Sequence, residues 1–108
     1  MSFPDYASIE EPLLCYIYLH GGAERQIECG RTYRPLARFF NLTEHDLSVP
    51  VSHEDDNLKW NNMVRWARNS LRKKMYLAPS RHGVWKLSES GVFAAQRLIA
   101  KHERLRLL

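Results

Sequence analysis

The amino-acid sequence predicts an α+β fold that is mostly helical: a winged helix-turn-helix with a short β-hairpin wing and a C-terminal helix. The first observation is the order of the predicted elements, which is helix, short segment, helix, long basic helix, hairpin and helix. The second is that basic residues fall on the long helix and in the hairpin, where this architecture meets nucleic acid. The third is the length of 108 residues, which fits one modest core. We therefore expect residues 1–108 to form a single domain.

The first predicted helix spans residues 8–19, and Ser8 is a suitable N-cap for it. A His-Gly-Gly run follows and ends the helix, with Gly21 as the natural C-terminal residue. The next segment, residues 23–29, is short and mixed in composition. It could form a short strand before the second helix.

The second predicted helix spans residues 32–40. It begins one or two residues before Pro35, because proline fits only the first turn of a helix. Thr43 then caps a further helical turn, with Asp46 at the position where a capping box usually has Glu or Gln. Residues 48–56 are predicted to form a polar loop that contains proline.

The longest predicted helix spans residues 57–74. At about 100° per residue, one face carries an apolar stripe that predicts the side packed on the core: Trp60, Val64, Ala67 and Leu71. Four side chains lie nearly opposite this stripe: Asn62, Trp66, Asn69 and Lys73. Four others flank it: Asn61, Arg65, Arg68 and Arg72. The helix therefore presents a polar and aromatic face away from the core.

The hairpin is predicted from strands at residues 76–79 and 84–87, and Gly83 supplies a positive φ in its turn. The last predicted helix runs from about residue 89 to 105, with Ser88 as its cap. Four of its residues share one face: Val92, Ala95, Ile99 and His102. The C-terminal region also carries more large apolar residues than one core requires, which would allow a homodimer: Leu98, Ile99, Leu105, Leu107 and Leu108.

Basic charge is concentrated in one segment. Residues 57–87 contain no Asp or Glu and eight basic residues: Lys59, Arg65, Arg68, Arg72, Lys73, Lys74, Arg81 and Lys86. The first 56 residues carry four Arg against ten Asp and Glu, so the net charge of +4 hides a dipolar molecule. A basic block that also holds aromatic, Asn and Gly residues is typical of nucleic-acid binders. A solvated helix face is the alternative, although such faces usually mix both signs.

Several other classes of protein are not indicated. No segment approaches the roughly 20 apolar residues of a membrane span, and the N-terminus has no signal-peptide pattern. We therefore expect a cytoplasmic location and free thiols at Cys15 and Cys29. No Cys or His spacing predicts a metal site, and no cofactor or catalytic motif is present. The acidic cluster at residues 54–56 has no partnered lysine in a strand, so we expect no enzymatic activity.

Two segments carry a more specific pattern. They read W-x-x-x-V-R-W-A-R-x-x-L at residues 60–71 and S-R-x-G-V-W-x-L-S-E-x-G at residues 80–91. Together with Gly21-Gly22 and Leu42-Thr43, they resemble the N-terminal winged-helix domain of Mrr-type restriction endonucleases, over roughly residues 11–91. In that family the module precedes a nuclease domain and helps direct it to modified DNA. Related winged helices are linked to reading adenine methylated on its exocyclic amine.

The resemblance implies a module of a restriction-modification system that binds methylated DNA. The chain ends at Leu108 without room for the nuclease, so we expect a reader without cutting activity. The expected partner is double-stranded DNA. The candidate contact residues are Arg34, Lys59, Asn61, Asn62, Arg65, Trp66, Asn69, Lys73, Arg81 and His82.

The individual candidates each have a structural alternative. Trp66 either packs against the hairpin or the last helix, or forms an apolar wall for a base methyl group. The three Asn residues either pair with adenine N6 and N7 or are simply solvated. Arg68 and Arg72 lie closer to the core and could pair with the acidic front half, for example with residues 54–56. Trp60 and Trp85 are expected in the core.

Three functions remain open at this point. The favoured one is a reader of methylated adenine in duplex DNA. The second is a small dimeric transcriptional regulator that binds an unmodified operator. The third is a protein-interaction domain whose basic face meets an acidic partner.

Overall fold

A computed structural model describes residues 3–53 and 56–108. Within these residues the chain forms five α-helices and three short strands, and the mostly helical α+β prediction is confirmed. The elements in chain order are α1 (Tyr6–His20), β1 (Gln26–Glu28), α2 (Tyr33–Phe39), α3 (Glu44–Leu47), α4 (Lys59–Lys73), β2 (Leu77–Ala78), β3 (Val84–Leu87) and α5 (Glu89–Lys101). Two 3₁₀ helices lie at Cys29–Arg31 and Glu103–Leu107.

Helix α1 begins earlier than predicted because Asp5, not Ser8, is its N-cap. The Asp5 carboxylate accepts hydrogen bonds from the hydroxyl and the backbone N–H of Ser8, and these bonds lower the pKa of Asp5. The helix ends at His20, one residue later than predicted, and Gly21 is its C-cap. A Cβ at Gly21 would lie 2.5 Å from the carbonyl oxygen of Ile17, so only glycine fits this position without a shift.

The three strands form one antiparallel sheet in the order β1-β3-β2. The short strand considered for residues 23–29 is present as β1, where Ile27 lies opposite Trp85. The predicted hairpin is also present, although β2 is only two residues long, with Leu77 opposite Leu87. Gly83 has a φ of +79° in the connection, as the sequence predicted.

The segment between α2 and α4 follows the predicted capping pattern. The Thr43 hydroxyl accepts from the backbone N–H of Asp46, and the Asp46 carboxylate accepts from the backbone N–H of Thr43. Helix α4 begins at Lys59, two residues later than predicted. The delay arises because Leu58 is held in extended backbone by an isolated antiparallel bridge to Pro50.

The core lies between α1, α4, α5 and the sheet. The apolar stripe predicted on α4 is buried as expected, and Met63 is buried beside it although the sequence analysis did not assign it. The Trp60 indole is fully buried and donates from Nε1 to the backbone oxygen of Tyr33 at 2.8 Å. Trp85 is also buried, at 6% exposure, so both core tryptophans were predicted correctly.

The C-terminal region differs from its prediction. Helix α5 ends at Lys101 rather than at residue 105, because the backbone of His102 is extended. His102 is therefore exposed and outside the helix, not on its apolar face. The Arg106 guanidinium donates to the backbone oxygens of Ile99 and Ala100, which closes the end of α5.

The apolar surplus that suggested a homodimer is mostly accounted for within one chain. Leu105 is buried, and three further residues pack against the core: Leu98, Ile99 and Leu108. Leu107 is 81% exposed. The homodimer stays a prediction. Fewer of these apolar residues are exposed and able to form a dimer interface than the sequence suggested.

The two cysteines, Cys15 and Cys29, are both free thiols, as predicted. Burial raises the pKa of the Cys15 thiol to about 12, which makes it a poor nucleophile. Across residues 3–53 and 56–108, no helix has the length and apolar character needed to span a membrane.

Candidate nucleic-acid interface

The outer face of α4 is defined here as the side opposite its buried stripe. It carries Asn62, Arg65, Trp66, Asn69 and Lys73. Trp66 is 53% exposed, whereas Trp60 on the same helix is fully buried. The alternative that Trp66 packs against the hairpin or the last helix is therefore wrong. A large aromatic side chain instead stands in solvent among amide and basic groups.

Arg65 is held in place by a residue from another helix. Its Nη1 donates to the Tyr33 hydroxyl at 3.4 Å. The Tyr33 ring meets the Trp85 ring edge-on, with centroids 6.4 Å apart. Burial raises the pKa of the Tyr33 hydroxyl, so it stays neutral at physiological pH. Tyr33, which the sequence analysis did not single out, thus connects α2 to α4 and to β3.

Most of the basic residues in the segment 57–87 form no ion pair with a described residue. Lys74 pairs with Glu10 at 2.6 Å, and Lys86 pairs with Glu24 at 3.4 Å. The other six form no ion pair with any residue that the structure describes: Lys59, Arg65, Arg68, Arg72, Lys73 and Arg81. Of these, Lys59 lies over the Phe3 ring at 4.9 Å.

The pairing of Arg68 and Arg72 with residues 54–56 is not observed for Asp56, the residue of this cluster that the structure describes. Glu54 and Asp55 lie outside the described residues. Asp56 is described and exposed, and it pairs with neither arginine. Arg68 instead stacks on Trp85, with its guanidinium carbon 5.7 Å from the ring centroid.

An open groove of about 550 Å³ separates α4 from the β2–β3 hairpin. Arg68 and Arg72 line it from the helix, and Arg81, His82 and Lys86 line it from the hairpin. Apolar residues also line it: Met75, Leu77, Pro79, Val84 and Trp85. The sequence predicts Arg81 and His82 at the hairpin connection, and it leaves open a structural pairing of Arg68 and Arg72 with acidic residues.

The ten predicted contact residues are not all brought together. Five form the outer face of α4, and Arg81 and His82 lie exposed in the hairpin connection. Asn61 is half-buried on the flank of α4, and Lys59 is exposed at its first turn. Arg34 lies apart on α2 and pairs with Glu44 at 2.8 Å, an exposed pair that raises the pKa of Arg34. Such a pair contributes little stability and is easily exchanged for another anion.

The fold and this surface define a small, mostly helical α+β domain with one basic face, most of whose cations have no acidic partner in residues 3–53 and 56–108. A model of the Mrr N-terminal domain family matches residues 6–97, which is most of the chain. The chain therefore belongs to the family of Mrr N-terminal domains, a domain type of restriction systems, and the resemblance seen in two sequence segments is confirmed. No match was found among curated proteins or among solved structures.

Proposed function

We propose that this chain is a winged-helix module that binds double-stranded DNA. Helix α4 enters the major groove, and the β2–β3 hairpin acts as the wing against the flanking backbone. The observation that carries the proposal is the set of six basic side chains on α4 and the hairpin that have no acidic partner within the described residues. The element order and the β1-β3-β2 sheet support the winged-helix assignment.

A finer proposal concerns the base that is read. Asn62, Trp66 and Asn69 lie within two turns on the outer face of α4. An Asn amide pairs with N6 and N7 of adenine, and adenine methylated on N6 keeps one N–H donor while gaining an apolar group. An amide beside an exposed aromatic ring suits both features of that base. We therefore propose that the module prefers duplexes with N6-methylated adenine.

The test compares matched duplexes that differ only in adenine methylation. Burial of one methyl group contributes about 0.8 kcal/mol and an amide–adenine pair about 1–3 kcal/mol. The intact chain is therefore expected to prefer the methylated duplex by several-fold to about a hundredfold. Trp66→Ala should abolish most of this preference and retain much of the affinity for plain DNA, because the phosphate contacts remain. Fluorescence anisotropy with labelled duplexes measures both values.

Phe93→Ala is the matched control. Phe93 is an aromatic residue of α5 with 63% exposure, so its removal changes the exposed aromatic surface without touching α4. It should leave the methylation preference intact. Equal affinity of the intact chain for both duplexes would contradict methyladenine reading and leave the regulator of an unmodified operator in its place. Equal loss of preference in both variants would remove the assigned role of Trp66.

We also propose that the chain does not cleave DNA. Residues 57–87 contain no Asp or Glu, so the proposed DNA face offers no carboxylate to hold a divalent metal. Purified protein incubated with supercoiled plasmid and Mg²⁺ is expected to leave the plasmid intact. Nicking that disappears in Asp55→Ala, from the cluster at residues 54–56, would contradict this proposal.

A further inference from the structure

We infer that the groove between α4 and the β2–β3 hairpin holds one backbone phosphate of the bound DNA strand. Arg68, whose guanidinium lies over the Trp85 ring, is the main ligand of this phosphate. The inference rests on the proposed function, since it assumes that a duplex occupies this side of the domain. It adds a residue that the sequence analysis assigned to structural pairing.

The first support is the way Arg68 is held. Its guanidinium lies over the ring of Trp85, which is itself almost fully buried. A cation–π contact of this kind attracts the guanidinium to the ring face without using its N–H donors. The side chain is therefore oriented without using its donors. A ligand that binds it loses little further side-chain entropy.

The second support is that these donors have no partner. Within the described residues, Nε of Arg68 is enclosed and forms no hydrogen bond. The two terminal nitrogens also form none there, and unlike Nε they are not enclosed. A structural arginine normally finds a carboxylate or a carbonyl oxygen, because a desolvated charged donor without a partner is costly. The open terminal nitrogens form the fork that binds two phosphate oxygens.

The third support is the composition of the groove around Arg68. Arg72 lies one turn along α4, and Arg81 lies across the groove on the hairpin connection, both without ion pairs among the described residues. Apolar residues line the same groove, among them Leu77 and Val84. A DNA strand alternates charged phosphate with less polar deoxyribose, so a groove lined by both cations and apolar side chains suits its backbone.

The test removes single charges on both sides of the contact. A set of duplexes is made in which one phosphate at a time is replaced by a neutral methylphosphonate, and each is titrated with the intact chain and with Arg68→Met. Methionine retains an apolar side chain against Trp85 and loses the charge. For the intact chain, the position that contacts Arg68 should weaken binding by about ten- to hundredfold. In Arg68→Met that position should weaken binding by less than about twofold, because its partner is already gone.

Arg97→Met is the control for loss of one positive charge. Arg97 is exposed on α5 and does not line the groove, so its variant should show the same positional profile as the intact chain. Thermal unfolding of both variants checks the fold. If Arg68→Met does not fold, Arg68→Lys replaces it, and the penalty at the same position should fall to a few-fold because lysine cannot form the fork.

The outcomes separate the inference from the proposed function. An Arg68→Met profile identical to that of the intact chain would overturn the phosphate site while leaving DNA binding in place. Methylphosphonate penalties that are reduced equally at every position in Arg68→Met would also overturn it, because loss of one contact must remove the penalty at one phosphate. No binding of the intact chain to any duplex would instead overturn the proposed function.

Discussion

Raising the salt concentration from about 50 to 200 mM is expected to weaken duplex DNA binding by this chain by roughly a thousandfold or more. The expectation follows from the six basic side chains that lack ion pairs among the described residues, on α4 and in the hairpin connection. If each neutralises one phosphate, the log–log slope of affinity against salt is about −5.4. Anisotropy titrations of one duplex at four or five salt concentrations give the slope directly.

Two single variants test which charges contribute. Arg81→Ala should reduce the magnitude of the slope by about 0.9 and weaken all sequences alike, because a backbone contact carries little sequence information. Lys101→Ala removes an exposed charge from the end of α5 and should leave the slope unchanged. An affinity that does not change with salt would contradict an electrostatic interface. A changed sequence preference without a change in affinity for Arg81→Ala would assign the hairpin another role.

Trp60→Ala is expected to lower the free energy of unfolding by about 3–5 kcal/mol, whereas Trp66→Ala should lower it by less than about 1 kcal/mol. Both residues lie on α4, but Trp60 is fully buried and Trp66 is 53% exposed. Loss of the Trp60 ring removes contacts with the rings of Phe3 and Phe40. It also removes the hydrogen bond to the Tyr33 backbone oxygen at 2.8 Å.

Urea unfolding followed by far-ultraviolet circular dichroism measures both variants without relying on tryptophan fluorescence. Trp60→Phe should lose less than Trp60→Ala, since a smaller ring still fills part of the space. Comparable losses for Trp60→Ala and Trp66→Ala would contradict the assignment of Trp66 to a solvent-facing surface. That result would also remove the aromatic contact on which the proposed methyladenine reading depends.

The two faces of α4 illustrate what periodicity can predict. Residues about 3.6 apart share a face, so the buried stripe and the position of Trp66 opposite to it followed from spacing alone. Spacing does not say whether a second element covers the outer face. Trp66 is exposed in the structure. No pattern in the sequence could decide between an exposed Trp66 and a Trp66 packed against the hairpin.

The sites that sequence reasoning missed depend on neighbours distant in the chain. Tyr33 reaches Arg65 only because α2 packs beside α4, and Arg68 reaches Trp85 only because β3 runs past the same helix. The helical wheel placed Arg68 beside the core stripe, which favoured a structural pairing with acidic residues. The helical wheel does give the direction in which Arg68 leaves α4. That direction identifies a contact with Trp85 only if the side of α4 on which the hairpin packs is already known.

The sequence by itself determined the local features: the α4 stripe, the Thr43–Asp46 capping box, the hairpin with Gly83, and the concentration of basic charge in residues 57–87. These features rest on spacing, on short-range hydrogen bonds and on composition, which are properties of neighbouring residues. The tertiary structure alone decided that β1 pairs with β3, that α5 ends at Lys101, and that six cations of the segment 57–87 remain without acidic partners among the described residues. Each of these depends on contacts between segments far apart in the chain, and their free energy is set by the packing of the whole domain.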